Sequence, residues 1–321
     1  MKKGRMIAFI VAASLILLGI IIFAGAMTVI GWNFRSFDTN KFETNTHEIT
    51  DAFGSICVDT DTADIALFKS EDGRCKVVCY EDTRLRHSVS VTDGALTIKL
   101  EDTRKWYEHI SLFSFGNSMI SIYLPEAEYS ALTVREDTGD IGIPKALRFE
   151  SINIKCSTGD VRCYASTSGK INISTTTGSI MLESISAGSA ELSVSTGNIK
   201  ISSMVCEGEL DIAVSTGKSE LRDISAQSLI SSGTTGKISL YNVITAEKLS
   251  VKRSTGDVRL DGCDAAEISI VTDTGDVSGS LLSEKVFIVR TDTGDVDVPK
   301  TATGGICEIT TDTGDIEISI R

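Results

Sequence analysis

The sequence predicts an all-β protein, a single-stranded β-solenoid (β-helix) of about ten coils behind one N-terminal transmembrane helix. Three observations predict it: a Thr-Gly corner recurs every 19 or 20 residues, apolar residues alternate on both sides of each corner, and an uncharged apolar run follows a basic N-terminus.

The N-terminal run is Met6 to Ile30, behind Lys2, Lys3 and Arg5. About 20 apolar residues in a helix span a bilayer, so this run is long enough even when tilted. The basic flank is expected to stay in the cytoplasm, which places the rest of the chain outside the cell. Trp32 and Phe34 fall where interfacial aromatics lie. Ala24-Gly25-Ala26 fits a signal-peptidase site. However, the apolar run before it is long and hydrophobicity resumes at Met27, which favours an uncleaved anchor.

The corner glycines are Gly139, Gly159, Gly178, Gly197, Gly217, Gly236, Gly256, Gly275, Gly294 and Gly314. With exceptions such as Ser219 after Gly217, apolar residues occupy the seventh and fifth positions before the glycine and the second and fourth after it. Around Gly178 these are Ile171, Ile173, Ile180 and Leu182; around Gly256 they are Leu249, Val251, Val258 and Leu260. Period-two alternation marks strands with one buried face. Another apolar residue often follows at the seventh position, as at Ile185, Met204, Ile224, Val243 and Cys263. Glycine suits the corner because it accepts positive φ without a Cβ penalty. Continued parity turns the corner threonine inward, where stacked hydroxyls would form a polar ladder.

One such unit cannot bury its own apolar face, whereas stacked units pair their backbones with the coils above and below. At roughly 4.8 Å per coil, ten coils make a rod about 50 Å long. A propeller blade needs around 40 residues, about twice this period.

Before Asp137 the theme is degraded. Asp61-Thr62-Ala63-Asp64-Ile65 is a corner with alanine in place of glycine, and Ile56, Val58, Ile65 and Leu67 keep the alternation. The expected organisation is a cytoplasmic stub and anchor over 1–31, a linker over 32–49, degenerate coils and a cap over 50–135, and the regular solenoid over 136–321. The insert Arg104–Asn117 carries Trp106, Tyr107, Phe113 and Phe115. It is expected to cap the first coil, with a binding lip as the alternative. The sequence reaches Arg321 directly after a repeat, so an open last coil is expected, a sticky edge suited to self-association.

The net charge of −13 leaves no basic patch for phosphate, which argues against nucleic acid. The eight cysteines contain no CxxC pair. Most fall at inward positions and read as small hydrophobes. A Cys156–Cys163 bridge is left open.

An N-terminal anchor, a degenerate first segment and repeated Asp-Thr-Gly-Asp-Ile corners together resemble the bacterial putative-adhesin family of membrane-anchored β-strand-repeat proteins. This is a domain of unknown function that includes LiaG-like proteins of envelope-stress operons. The resemblance covers residues 50 to 321. It implies a surface-exposed β-solenoid and carries no catalytic residues over.

The sharpest candidate chemistry is acidic. Asp273/Asp276, Asp292/Asp295 and Asp312/Asp315 flank three corners that follow one another in sequence. Six outward carboxylates at about 5 Å spacing would repel one another, and Ca²⁺ would relieve that. Lys218 and Lys237 confine such an edge to the C-terminal coils. The alternative reading is that aspartate suits corners by accepting backbone hydrogen bonds. No other cofactor is expected. Only His47, His87 and His109 are available for acid–base work, and no phosphate loop, nucleophile elbow or metal motif is present. The expectation is therefore a non-catalytic cell-envelope surface protein, an adhesin or scaffold meeting a cell-wall polymer, a protein partner or a sister chain. The alternatives are an envelope-stress sensor or regulatory accessory protein and, more remotely, a glycan lyase or hydrolase.

Overall fold

The computed structural model describes residues 3–29, 31–32, 41–103 and 118–321. Helix α1 (Lys3–Val29) contains Phe9–Val29, whose mean hydropathy is 2.7, long and apolar enough to cross a membrane. The aromatic insert, and with it the expected cap or binding lip, lies outside the described residues.

Among the described residues every regular element after α1 is a strand. The N-terminal strands are β1 (Phe42–Ile49), β2 (Ser55–Thr62), β3 (Asp64–Lys69), β4 (Cys75–Asp82), β5 (Leu85–Thr92), β6 (Ala95–Asp102), β7 (Met119–Leu124), β8 (Glu128–Thr138) and β9 (Ile141–Ile143). Part of the expected linker over 32–49 is therefore ordered, because β1 pairs antiparallel with β4. From β8 onward each coil runs up to its glycine, turns, and runs on, pairing in parallel with its neighbours.

The predicted alternation is the observed core. Ile171, Ile173, Ile180, Leu182 and Ile185 are fully or almost fully buried, and their counterparts in the other coils stack on them. All eight cysteines are free, seven of them buried, so no bridge joins Cys156 and Cys163.

The corner geometry explains the glycine. A Cβ built on Gly217, at φ +144°, would lie 1.6 Å from the carbonyl oxygen of Gly197 in the adjacent coil. The same clash recurs up the column, starting with Gly139 over the Ala63 carbonyl. The amide of every corner glycine except Gly294, in the outermost coil, donates to the threonine carbonyl of the adjacent coil, as from Gly197 to Thr216 at 2.9 Å.

A second corner lies six residues after the glycine. Ser184, Ser203, Asp223 and Asn242 adopt φ between +52° and +56° there, and Gly262 takes the same place at +65°. The run of Ser, Asp, Asn and Gly at one register position was the sequence signal for this turn, since such residues tolerate or stabilise the left-handed region.

The threonine expectation is overturned. Thr177, Thr274 and Thr313, next to their glycines, are exposed, and the inward residue is instead the third before the glycine. The strand turns before it reaches the glycine, so two successive residues face out and parity is lost. At the inward position Thr311 donates to the Gly275 carbonyl at 3.2 Å and Thr291 to that of Gly314 at 3.0 Å, serving corner carbonyls of neighbouring coils. Arg253 occupies the same position, fully inside. It donates to Ser231 Oγ at 3.0 Å and Ser219 Oγ at 3.2 Å, and its guanidinium lies where a Cβ on Gly233 would be. Ser219 and Ser231 thus depart from the apolar pattern because a buried arginine needs them. Burial pushes that guanidinium down to about 10.

At both ends, order in space departs from order in sequence. The strand leading to Gly275 pairs with the one leading to Gly314 (Gly305–Thr313), which pairs in turn with the one leading to Gly294 (Lys285–Thr293). The final coil is therefore inserted, and the expected open last coil is corrected: the outermost coil is Lys285–Asp297. Gly304 and Gly305 mark the insertion. Their missing side chains would strike the Glu284 carbonyl on one side and the Ala266 carbonyl on the other. The N-terminal end repeats the device. There β6 and β7 lie outside β2 and β3, and antiparallel β4 and β5 close the end.

Gly217→Ala is expected to cost about 2–4 kcal/mol, combining a forbidden φ with a backbone clash. Gly142→Ala, with nothing within 4 Å of its Cβ, should stay within about 0.5 kcal/mol. Denaturant melts of the full chain followed by circular dichroism compare the two.

Candidate functional site

The residue after each corner glycine sits where the N–H of its successor in the next coil points. An aspartate or asparagine there accepts that hydrogen bond. Asp160 N–H donates to Asp140 Oδ1 at 2.9 Å, Ser179 N–H to Asp160 Oδ1 at 2.9 Å, and Lys218 N–H to Asn198 Oδ1 at 3.0 Å. At the C-terminal end, Asp276 N–H donates to Asp257 Oδ1 at 3.4 Å, Asp315 N–H to Asp276 Oδ1 at 3.0 Å, and Asp295 N–H to Asp315 Oδ1 at 2.9 Å.

Asp273, Asp276, Asp292, Asp295, Asp312 and Asp315 are all exposed on one edge. Their order along it is corrected by the inserted coil: the Asp312/Asp315 pair lies between the other two. Asp276 and Asp315 each give one oxygen to the backbone, and Asp292 Oδ1 accepts from Arg290 Nη2 at 2.9 Å. Among the described residues no three of the six bring oxygens within 4.8 Å of one another. The edge is an ordered ladder of single carboxylates, each facing a backbone amide, an arginine or solvent.

A different cluster does converge. On β4, Val77, Cys79 and Glu81 face inward in phase, and β5 supplies His87 from the next strand in sequence. Glu81 Oε2 accepts from the His87 backbone N–H at 2.7 Å and lies 2.6 Å from His87 Nδ1. Glu81 Oε1 accepts from Asn45 Nδ2 at 2.8 Å, and His87 Nε2 lies 2.8 Å from Thr60 Oγ1. Burial pushes the Cys79 thiol up to about 12, with Glu81 adding to the shift. Parity was the available signal: a glutamate in phase with a valine and a cysteine is a charged residue at a core position. The carboxylate–imidazole–hydroxyl order resembles a nucleophile relay, but Thr60 is buried at 4% exposure and does not line the small cavity that adjoins His87. His109 lies outside the described residues.

Beside this cluster Glu136 occupies the inward position of its coil. Its Oε1 accepts from the Ala63 N–H at 2.9 Å, while Oε2 is buried and unpartnered among the described residues. Burial, reinforced by Asp64, Asp137 and Asp61, raises its carboxyl to about 8.

The family model described as Toastrack DUF4097 matches residues 53–218 and 206–321. Among solved structures the chain is similar to a putative adhesin from Parabacteroides merdae, at 13% identity and a TM-score of 0.51, covering 88% of this chain and 98% of that one. It is also similar to a protein described as a putative lipid binding protein from Parabacteroides distasonis, at 15% identity and a TM-score of 0.49, with coverage of 88% and 98%. The first of these likenesses shows a common fold. No curated protein matches the chain.

Two expectations follow. Asp276→Asn, which keeps an acceptor, should be close to neutral, whereas Asp276→Ala should cost about 1 kcal/mol in a denaturant melt. A Ca²⁺-specific rise in the same melt, absent with Mg²⁺, would instead show cation binding on this edge. For Glu136, both folded and unfolded chains are protonated below about pH 4.5. Between there and about pH 8 only the folded state holds the proton, so stability falls as pH rises and levels off above. Glu136→Gln should therefore match wild type near pH 4 and exceed it by about 4–5 kcal/mol at pH 8.5.

Proposed function

Because the chain belongs to the Toastrack DUF4097 family, we propose that it is a non-catalytic rod of the cell envelope, anchored by α1 and reaching outward to a partner. In this reading α1 crosses the membrane once, with its basic flank inside and the solenoid outside.

The observation that carries the reading is the strand edge of Lys285–Thr293. It pairs with Gly305–Thr313 on one side and, among the described residues, with no strand on the other. Ile288 and Val296 are exposed on this coil. Such an edge accepts an extended segment of another chain through main-chain hydrogen bonds, with side chains on alternate positions giving selectivity. Covalent connectivity supports the direction. Residues 30–41 join α1 to β1 with at most about 40 Å of chain, while the open edge closes the far end of a stack on the order of 50 Å long. A regular rod of this kind separates a binding edge from a lipid surface. The carboxylates of the corner ladder are tied to backbone amides or arginine, or stand singly, which supports a structural role for them over a paired acid and base.

The full chain in detergent micelles should co-sediment with isolated cell-envelope fragments. Ile288→Lys combined with Val296→Lys should reduce that binding about tenfold, a loss of about 1.4 kcal/mol, without moving the melting midpoint. Release of reducing ends from wall polysaccharide, abolished by Asp292→Asn with Asp295→Asn, would overturn the reading in favour of a glycan-cleaving enzyme.

A further inference from the structure

Away from the corner edge, three unlike donors meet inside the N-terminal end of the solenoid. One ligand atom each from Cys79, Glu81 and His87 lies within 4.8 Å of the others, and all three residues are buried. We propose that these side chains form a zinc site that ties β4 to β5 and so closes this end of the rod.

The chemistry of the donor set points to the ion. A thiol, a carboxylate and an imidazole are the ligand types Zn²⁺ takes, at about 2.0–2.3 Å each, and their mixture excludes the all-oxygen preference of Ca²⁺ and Mg²⁺. Around a tetrahedral ion such donors stand roughly 3.3–3.8 Å apart. The 2.6 Å between His87 Nδ1 and Glu81 Oε2 is a hydrogen-bond spacing, so the ion enters by opening that pair by roughly 1 Å.

The outer hydrogen bonds are those a metal site requires. Nε2 of His87 has Thr60 Oγ1 at 2.8 Å, which accepts its proton when Nδ1 faces the metal. Asn45 holds the other Glu81 oxygen at 2.8 Å, fixing the carboxylate plane. The ligands sit on two strands joined by a short turn, and β4 is held on both sides, by β1 and β7. Three protein donors leave one tetrahedral position. A cavity of about 100 Å³ adjoins His87 between Asp61, Leu85 and Ser118, roomy enough for water.

The test uses the full chain in detergent, reduced and stripped with chelator, titrated with Co²⁺ and then Zn²⁺. One equivalent of Co²⁺ should give sulfur-to-cobalt charge-transfer absorption and the d–d bands of a four-coordinate site, all bleached by Zn²⁺. Cys79→Ser should remove the charge-transfer band, and His87→Gln should weaken binding at least about tenfold. Cys263→Ser, buried in the regular coils, should leave both unchanged. Because substitutions in the cap can unfold it, the wild-type chain supplies a second readout. Zn²⁺ should slow alkylation of Cys79 about tenfold and leave Cys307, at the opposite end, unaffected. Absent cobalt bands, bands that survive Cys79→Ser, or equal Cys79 alkylation with and without Zn²⁺ would each overturn the proposal.

Discussion

The structure depends on how closely one coil approaches the next at the glycine corner. A carbonyl oxygen from one coil occupies the space a side chain would need in its neighbour. That contact fixes the register of every coil against the one before it. Repeat length still varies between 19 and 20 residues, and the difference is absorbed far from the corner, at the register shifts between Cys206 and Glu209 and between Ala226 and Ser228. The corner column is thus rigid in register, and the third side of each coil takes up the slack.

The same constraint explains which polar residues are tolerated and where. A turn this tight leaves a carbonyl and an amide facing along the stack. The inward threonine serves the carbonyl, and the aspartate after the glycine serves the amide. Buried backbone groups are rarely left unpaired, so these side chains complete the ladder where the backbone alone cannot. Asp-Thr-Gly-Asp is therefore a structural formula first, and its acidity follows from the need for an acceptor at the corner.

Much of the fold was legible in sequence because one face of each strand is apolar at fixed offsets from a glycine. Ile171, Ile173, Ile180 and Leu182 could be placed from alternation alone. The corner threonine was misread because parity holds only while the strand is straight. Stacking order at the C-terminal end was not legible. The coils of Gly294 and Gly314 present the same apolar positions and the same corner, so either order satisfies the pattern, and only the tandem Gly304-Gly305 records the choice. The Cys79–Glu81–His87 cluster was hidden for another reason. It lies among antiparallel strands where no repeat supplies a frame, and its convergence comes from strand pairing.

The inserted final coil changes how the rod bears load. A tension applied at the C-terminal residues does not reach an edge strand. It reaches Ile316–Ile320, which is paired to Val277–Leu281 on one side and to Val296–Asp297 on the other. Only Ile316 and Glu317 are paired on both sides, so peeling Ile318–Ile320 opens one ladder and stalls at Glu317, where a second ladder must be sheared as well. A strand gripped between two neighbours at its inner end confines fraying to its outer three residues.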